Sequence, residues 1–201
     1  MRLFRNQIAL LYPDSVVMLA TSNEDQTEGD IMEMGERLAS EVRNYILSFC
    51  PASCLAKLSF VGHSLGGLII RAALPHLAEY SHKFFTYISL SSPHLGYMYN
   101  SNKILDAGMW VLKNWKKSLS LTQLSMTDKS NVEDTCLFRL TQLPGMEWFQ
   151  NIVLCCSYQD KYVPFDSARI QICKQALDSK ANEKLGNTYI TMASNVFKNV
   201  D

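Results

Sequence analysis

The spacing of apolar and polar positions along the chain predicts alternating strands and helices. The run DSVVMLA at 14–20 is short, apolar and rich in β-branched residues, so it predicts a buried strand. Residues 31–49 carry apolar side chains at steps of three and four, which predicts a helix that ends before Pro51. These side chains belong to Ile31, Met34, Leu38, Val42, Tyr45, Ile46 and Phe49. The stripe that they form would cover one face of a sheet.

The alternation continues through the rest of the chain. Three further runs predict strands, and those at 84–91 and 151–157 are nearly all apolar, which is typical of parallel strands covered on both faces. Helical spacing follows the first and the third of these runs, and a polar stretch at 178–187 predicts a loop. The predicted strands span 57–61, 84–91 and 151–157, and the predicted helices span 65–80 and 166–177. Together these elements predict an α/β fold with a mostly parallel sheet and helices on both faces.

A long insertion at 94–148 interrupts this alternation. Its apolar spacing predicts an amphipathic helix that bears Trp110 and Trp115. We expect this helix to act as a lid, packed over a pocket with its lysines in solvent. The alternative is a peripheral contact with a membrane surface, because three lysines lie at 113–117 beside the tryptophans.

The composition is that of one soluble domain over 1–201, since 47% of the residues are apolar and 19% are charged. Nineteen basic residues balance nineteen acidic residues, so no overall field attracts nucleic acid. The six cysteines are too sparse for a disulfide scaffold, and Cys50 and Cys54 lack a second ligand pair at zinc spacing. No signal peptide or membrane-spanning run is readable. We therefore expect a cytoplasmic protein without a metal.

The segment GHSLGG at 62–67 carries the clearest chemical signal. It follows one predicted strand and precedes an apolar helix, which is the context of the G-x-S-x-G nucleophile elbow. A sharp turn there would strain the backbone of Ser64, and Gly62 and Gly66 would leave room where a side chain strikes a neighbour. The elbow comprises Gly62, His63, Ser64, Leu65, Gly66 and Gly67.

This turn predicts that Ser64 is a nucleophile whose Oγ is presented above the sheet. The same turn aims the backbone N–H of Leu65, at the start of the helix, toward a developing oxyanion. The alternative is a tight turn in which Ser64 only caps the helix.

A catalytic serine needs an acid and a base, which in this fold follow it along the chain. Asp160 comes just after the strand predicted at 151–157, at the carboxyl edge of the sheet, and is the favoured acid. Asp166 is the rival, although it more naturally caps the helix predicted at 166–177.

The base is harder to place, because all four histidines precede Asp160. His63 lies within the elbow, and His76 and His82 flank the end of a helix, where a cation favourably meets the helix dipole. His94 follows the strand predicted at 84–91 and is therefore a candidate for the pocket rim, although its position in the chain does not fit the order of a triad.

Three motifs together resemble the lipase-like putative serine esterase family of α/β-hydrolases: GHSLGG at 62–67, SSPHLG at 91–96 and SYQDKYVPFDSARI at 157–170. The resemblance runs through nearly the whole chain. It implies an α/β-hydrolase fold and the hydrolysis of a carboxylic ester of a small molecule or a lipid. It further implies Ser64 as nucleophile and Asp160 as the acid that orients the base, with no metal and no organic cofactor.

The resemblance also predicts parts that these residues do not supply. In relatives, a His-Gly loop after an earlier strand donates the second oxyanion N–H, and the catalytic histidine falls near the end of the domain. In the sheet of such relatives, that earlier strand would pair between the strands predicted here at 14–20 and 57–61. We therefore expect a domain incomplete at both termini and nearly inactive by itself. The alternative is a non-catalytic α/β-hydrolase-like module, or a truncated isoform, that binds a protein partner.

Overall fold

A parallel sheet of three strands organises the described part of this computed structural model, which comprises residues 2–50, 54–99, 118–178 and 183–200. The strands are β1 (Leu58–His63), β2 (Phe84–Leu90) and β3 (Asn151–Cys155), in the order β1-β2-β3. His63, Leu90 and Cys155 lie in register across the sheet, and each ends its strand. The segments that follow the strands therefore leave from one carboxyl edge.

Helices occupy the connections between the strands and the segments before and after them. The α-helices are α1 (Arg2–Leu11), α2 (Ile31–Phe49), α3 (Leu65–Ala73), α4 (Leu119–Leu124), α5 (Cys136–Thr141), α6 (Phe165–Arg169), α7 (Lys174–Leu177) and α8 (Glu183–Val196). Short 3-10 helices span Leu74–Lys83, Val132–Asp134 and Met146–Trp148. The α/β class predicted from the sequence is confirmed.

The helix predicted at 31–49 is α2, but its apolar stripe packs mainly on α3 rather than on the sheet, and the predicted Phe49 is 63% exposed. The Asp30 side chain caps α2 by accepting from the backbone N–H groups of Met32 and Glu33. Gly35 lets the two helices approach closely, because a Cβ there would lie 2.5 Å from the Ala72 Cβ. This contact fixes α2 against the helix that begins at the elbow.

Aromatic side chains fill the core beside the sheet. The Phe84 and Phe149 rings are stacked with their centroids 4.9 Å apart, and Phe60 meets both rings edge-on. The Tyr87 ring lies against Phe149 and sends its hydroxyl to the Gly67 carbonyl oxygen at 2.9 Å. Tyr87 thereby joins β2 to the first turn of α3.

The strand predicted at 14–20 is wrong. Residues 15–20 form no regular element, and Val16 is 61% exposed. A strand requires a hydrogen-bonded neighbour, and the described residues place none on the free edge of β1. The chain after this segment is instead held by Glu41, whose carboxylate accepts from the N–H groups of Thr21 and Ser22.

The strands predicted at 57–61, 84–91 and 151–157 are confirmed within two residues, but full burial of β3 is wrong. Its residues alternate between exposed and half-buried, and Val153 is 41% exposed. Since β3 is the last strand in the described sheet, it pairs on one side only. Its apolar run therefore reflects β propensity as well as burial.

The predicted helix boundaries need three corrections. The helix predicted at 65–80 is α-helical only to Ala73, because Pro75 cannot donate the next hydrogen bond, and a 3-10 helix follows. The helix predicted at 166–177 is divided by Ile170, whose φ of 56° ends α6. The loop predicted at 178–187 is helical from Glu183, where α8 begins.

The lid predicted around Trp110 and Trp115 falls on residues 100–117, outside the described residues, and stays a prediction. Later parts of the insertion are described, and they pack against the core through α4 and α5. Within the described ranges, no helix is both long and apolar enough to cross a bilayer.

Candidate active site

The predicted elbow is a strained turn at the carboxyl edge of the sheet. Ser64 has φ 54° and ψ −125°, a backbone conformation that residues other than glycine rarely adopt. Its backbone N–H donates to the Leu90 carbonyl oxygen at 2.9 Å, and its own carbonyl accepts from the Gly67 N–H at 3.2 Å. The strain predicted at Ser64 is confirmed, and hydrogen bonds to β2 and α3 hold it in place.

The glycines of the elbow differ in what they make room for. A Cβ at Gly62 would lie 2.6 Å from the Gly67 nitrogen, so the room predicted there is confirmed. The same prediction for Gly66 is wrong, because nothing lies within 4 Å of a Cβ built on it. The tight position is Gly67, where a Cβ would lie 2.3 Å from Ser92 Oγ and 3.0 Å from Tyr87 Oη. Close packing against β2 and the loop after it requires glycine at 67.

The Ser64 side chain is half-buried and does not cap α3, so the alternative of a simple capping serine is wrong. Among the described residues its Oγ has no hydrogen-bond partner. Leu65 is the first residue of α3, where backbone N–H groups have no partner within the helix and the dipole favours negative charge. The turn can therefore present a hydroxyl beside N–H donors.

Ser91, which the sequence analysis did not single out, forms a second strained turn next to the elbow. It follows β2 with φ 48°, and its N–H donates to the Cys155 carbonyl oxygen at 2.8 Å. Ser64 and Ser91 thus leave adjacent strands through left-handed turns. No sequence signal marks this turn, since glycine is the usual residue at positive φ.

Asp160 lies in the loop after β3, at the same edge of the sheet. It is half-buried, and its Oδ1 accepts from the N–H groups of Tyr162 at 2.8 Å and Val163 at 3.0 Å. These bonds fix the carboxylate and occupy one of its two oxygens. Burial raises the pKa of Tyr97 to about 12, and the charge of Asp160 adds to this shift. The second oxygen of Asp160 accepts no bond from the described residues.

The capping role predicted for Asp166 is wrong. Pro164 is the N-cap of α6, and Asp166 is the second residue of that helix. A carboxylate in the first turn still meets the positive end of the helix dipole.

The four histidines are distributed between the surface and the core. His63, His76 and His82 are exposed, and no hydrogen bond joins their side chains to Ser64 or Asp160. The prediction that His94 lies at the pocket rim is wrong, because His94 is fully buried. The prediction placed it correctly after β2 but could not show that Ser89 and Arg71 enclose its ring.

Two grooves of the described surface lie away from the elbow. One, of about 820 Å³, is lined by Thr21, Glu33, Arg37, Glu41 and their neighbours, and another, of about 380 Å³, lies between α5 and α8. Neither includes Ser64 or Asp160. Over the described ranges, no group of three or more histidine, cysteine, aspartate or glutamate side chains is arranged to hold a metal ion.

Comparisons with known proteins bear on the chemistry of this edge. A family model described as putative serine esterase (DUF676) matches residues 1–175. The putative lipase ROG1 of Saccharomyces cerevisiae is 37% identical over 93 residues, which cover 42% of this chain and 13% of the yeast protein. The chain thus aligns with a small part of that relative's length. No solved structure matches the chain.

Proposed function

The chain belongs to the putative serine esterase family, and we propose that it forms the core of a hydrolase that cleaves carboxylic esters with Ser64 as nucleophile. The observation that carries this proposal is the strained turn at Ser64. A conformation that costs about 1–3 kcal/mol persists where the surrounding structure enforces it, and such strain clusters at active sites.

The proposed reaction follows from the groups at the carboxyl edge. A base takes the proton of Ser64 Oγ while the oxygen attacks the ester carbonyl carbon. The negative charge that develops on the carbonyl oxygen is stabilised by the Leu65 N–H, at the positive end of α3. The base then protonates the departing alcohol, and water hydrolyses the acyl-serine bond in the same way. Asp160 orients the base, since two backbone N–H groups already fix its carboxylate.

The base itself is proposed to come from beyond these 201 residues. His94 is enclosed in the core, and the side chains of the three exposed histidines make no hydrogen bond with Ser64 or Asp160. Loss of the base leaves only about 10³- to 10⁴-fold catalysis over water, so the 201-residue chain alone is expected to be nearly inactive.

The proposed substrates are carboxylic esters of small molecules or lipids. The similar yeast protein is named a putative lipase, which supports a lipid ester. We propose a second candidate function on the same observation of the histidines: a non-catalytic module with the hydrolase fold that binds a protein partner.

Turnover of a short soluble ester separates these proposals. It is measured on the natural polypeptide that contains residues 1–201, called the parent polypeptide below, and on its Ser64→Ala variant. Ser40→Ala, which removes an exposed hydroxyl from α2, is the matched control. The esterase proposal predicts turnover that Ser64→Ala abolishes and Ser40→Ala leaves unchanged. No Ser64-dependent turnover would favour the non-catalytic module.

A further inference from the structure

Arg71 is a buried cation on the helix that begins at the elbow. It is only 3% exposed, and it forms no ion pair with a carboxylate among the described residues. Its Nη1 donates to the His94 carbonyl oxygen and its Nη2 to the Leu140 carbonyl oxygen, each at 3.3 Å. Burial lowers the pKa of Arg71 to about 10, so it stays protonated at neutral pH. Burying a charge is costly, and hydrogen bonds to carbonyl groups offset that cost here.

The His94 ring completes a connected set of buried polar groups. Arg71 Nη1 lies 3.4 Å from His94 Nδ1, and a guanidinium can only donate, so Nδ1 is the acceptor. The neutral ring then carries its proton on Nε2, which donates to Ser89 Oγ at 2.7 Å. Burial and the neighbouring Arg71 charge both lower the pKa of His94, in agreement with a neutral ring. The set joins α3, β2 and the loop after β2.

The loop after β2, to which Arg71 donates at the His94 carbonyl, is also bonded to α6. This helix follows the loop that contains Asp160. The Leu95 N–H donates to Ser167 Oγ at 3.0 Å, and Ser167 is a buried residue of α6. One continuous path therefore runs from α3 through Arg71, His94 and Leu95 to α6. The proposed nucleophile lies at the start of α3, and the proposed acid lies in the loop that leads to α6.

We propose that Arg71 is a positioning residue that, through His94, Leu95 and Ser167, sets the placement of the Asp160 loop relative to Ser64. This inference rests on the proposed esterase function. Catalytic geometry is sensitive to small displacements, since a shift of about 1 Å can cost about 100-fold in rate. Loss of the path should therefore lower kcat, whereas KM should change little because none of these residues is placed in contact with substrate.

The test compares Arg71→Lys and Ser167→Ala in the parent polypeptide. A lysine ammonium keeps the charge but cannot reproduce the fork that reaches two carbonyl oxygens. We expect Arg71→Lys to lower kcat by about 10- to 100-fold per folded active site, with KM within about twofold. Ser167→Ala removes one hydrogen bond and should lower kcat by a smaller factor, again at constant KM. Arg43→Lys is the control, because Arg43 bonds Glu79 and the His76 carbonyl at the surface.

The outcomes separate this inference from the function on which it rests. Unchanged kcat per folded site in both variants, with only the melting temperature lowered, would overturn the positioning role and leave the esterase intact. Should Arg71→Lys fail to fold, Ser167→Ala alone decides in the same way. Turnover that survives Ser64→Ala in the parent polypeptide with Arg71 and Ser167 unchanged would instead remove the esterase proposal, and the positioning role with it.

Discussion

The Ser64 N–H donates to the Leu90 carbonyl oxygen at 2.9 Å, one residue beyond the last register pair of β1 and β2. This bond continues the ladder of the sheet into the turn, while Ser64 itself adopts φ 54°. A residue that would otherwise relax is thus held by the sheet on one side and by α3 on the other. The strain at the proposed nucleophile is built into the sheet edge.

Stability should report this strain directly. Glycine adopts the conformation of Ser64 without steric cost, whereas alanine does not. We expect Ser64→Gly to have a free energy of unfolding about 1 kcal/mol greater than Ser64→Ala. Urea denaturation of the two variants of the parent polypeptide measures the difference. Equal stabilities would mean that the turn is not strained.

Alanine substitutions at Gly66 and Gly67 form a second matched pair of variants for measuring stability. A Cβ at Gly67 meets Ser92 and Tyr87, so Gly67→Ala should lower the free energy of unfolding by about 1–3 kcal/mol. A Cβ at Gly66 meets nothing, and alanine is the better helix former, so Gly66→Ala should be neutral or slightly stabilising. Both values come from denaturant titration, and a larger loss at 66 than at 67 would contradict the geometry.

The two aspartates after β3 should differ in their effect on catalysis. We expect Asp160→Asn to lower kcat of the parent polypeptide by about 10³- to 10⁴-fold, because an amide cannot hold the proposed catalytic histidine in the required tautomer. Asp166→Asn should change kcat only a few-fold, since Asp166 lies within the first turn of α6. A larger loss of kcat in Asp166→Asn than in Asp160→Asn would assign the role of the acid to Asp166 instead.

His94 should make folding depend on pH. Arg71 and the Tyr87 ring face its buried imidazole, whose pKa lies well below 6.5. As pH falls below about 6.5, the unfolded chain binds a proton that the native ring does not, so stability decreases. This group alone should cost about 1 kcal/mol between pH 6.5 and pH 5.5.

The comparison of variants isolates that contribution. Denaturation of His94→Gln at the two pH values should show a pH dependence weaker by that amount, whatever its absolute stability. His76→Gln, at an exposed position, serves as the control for removal of a histidine. An unaltered slope in His94→Gln would contradict a neutral buried ring.

Local patterns were enough to predict much of this fold. The spacing of apolar residues at 31–49 predicted α2 because that helix has one face in the core and one in solvent. The order of strand, glycine-flanked serine and helix predicted the turn at Ser64, because only a sharp turn joins such elements at that spacing. Both predictions depend on neighbouring residues in the chain.

The early end of α3 follows from the nearby Pro75, but other missed features depend on residues far apart in the chain. Residues 15–20 have the composition of a strand, but strand formation needs a partner that local sequence does not specify. The burial of His94 depends on Arg71, twenty-three positions earlier, and on the fold that brings them together. Ser91, which no local signal marked, has a positive φ, and its N–H donates to the carbonyl oxygen of Cys155, again a distant residue.

The most direct test of the central claim is to locate a covalent probe. The parent polypeptide is incubated with a fluorophosphonate, which reacts with activated serine nucleophiles, and the adduct is mapped by peptide mass spectrometry. Our account predicts a single adduct on Ser64 that is absent in Ser64→Ala and strongly slowed in Asp160→Asn. Ester hydrolysis by the parent polypeptide with the adduct on another residue, or with no adduct at Ser64, would contradict it.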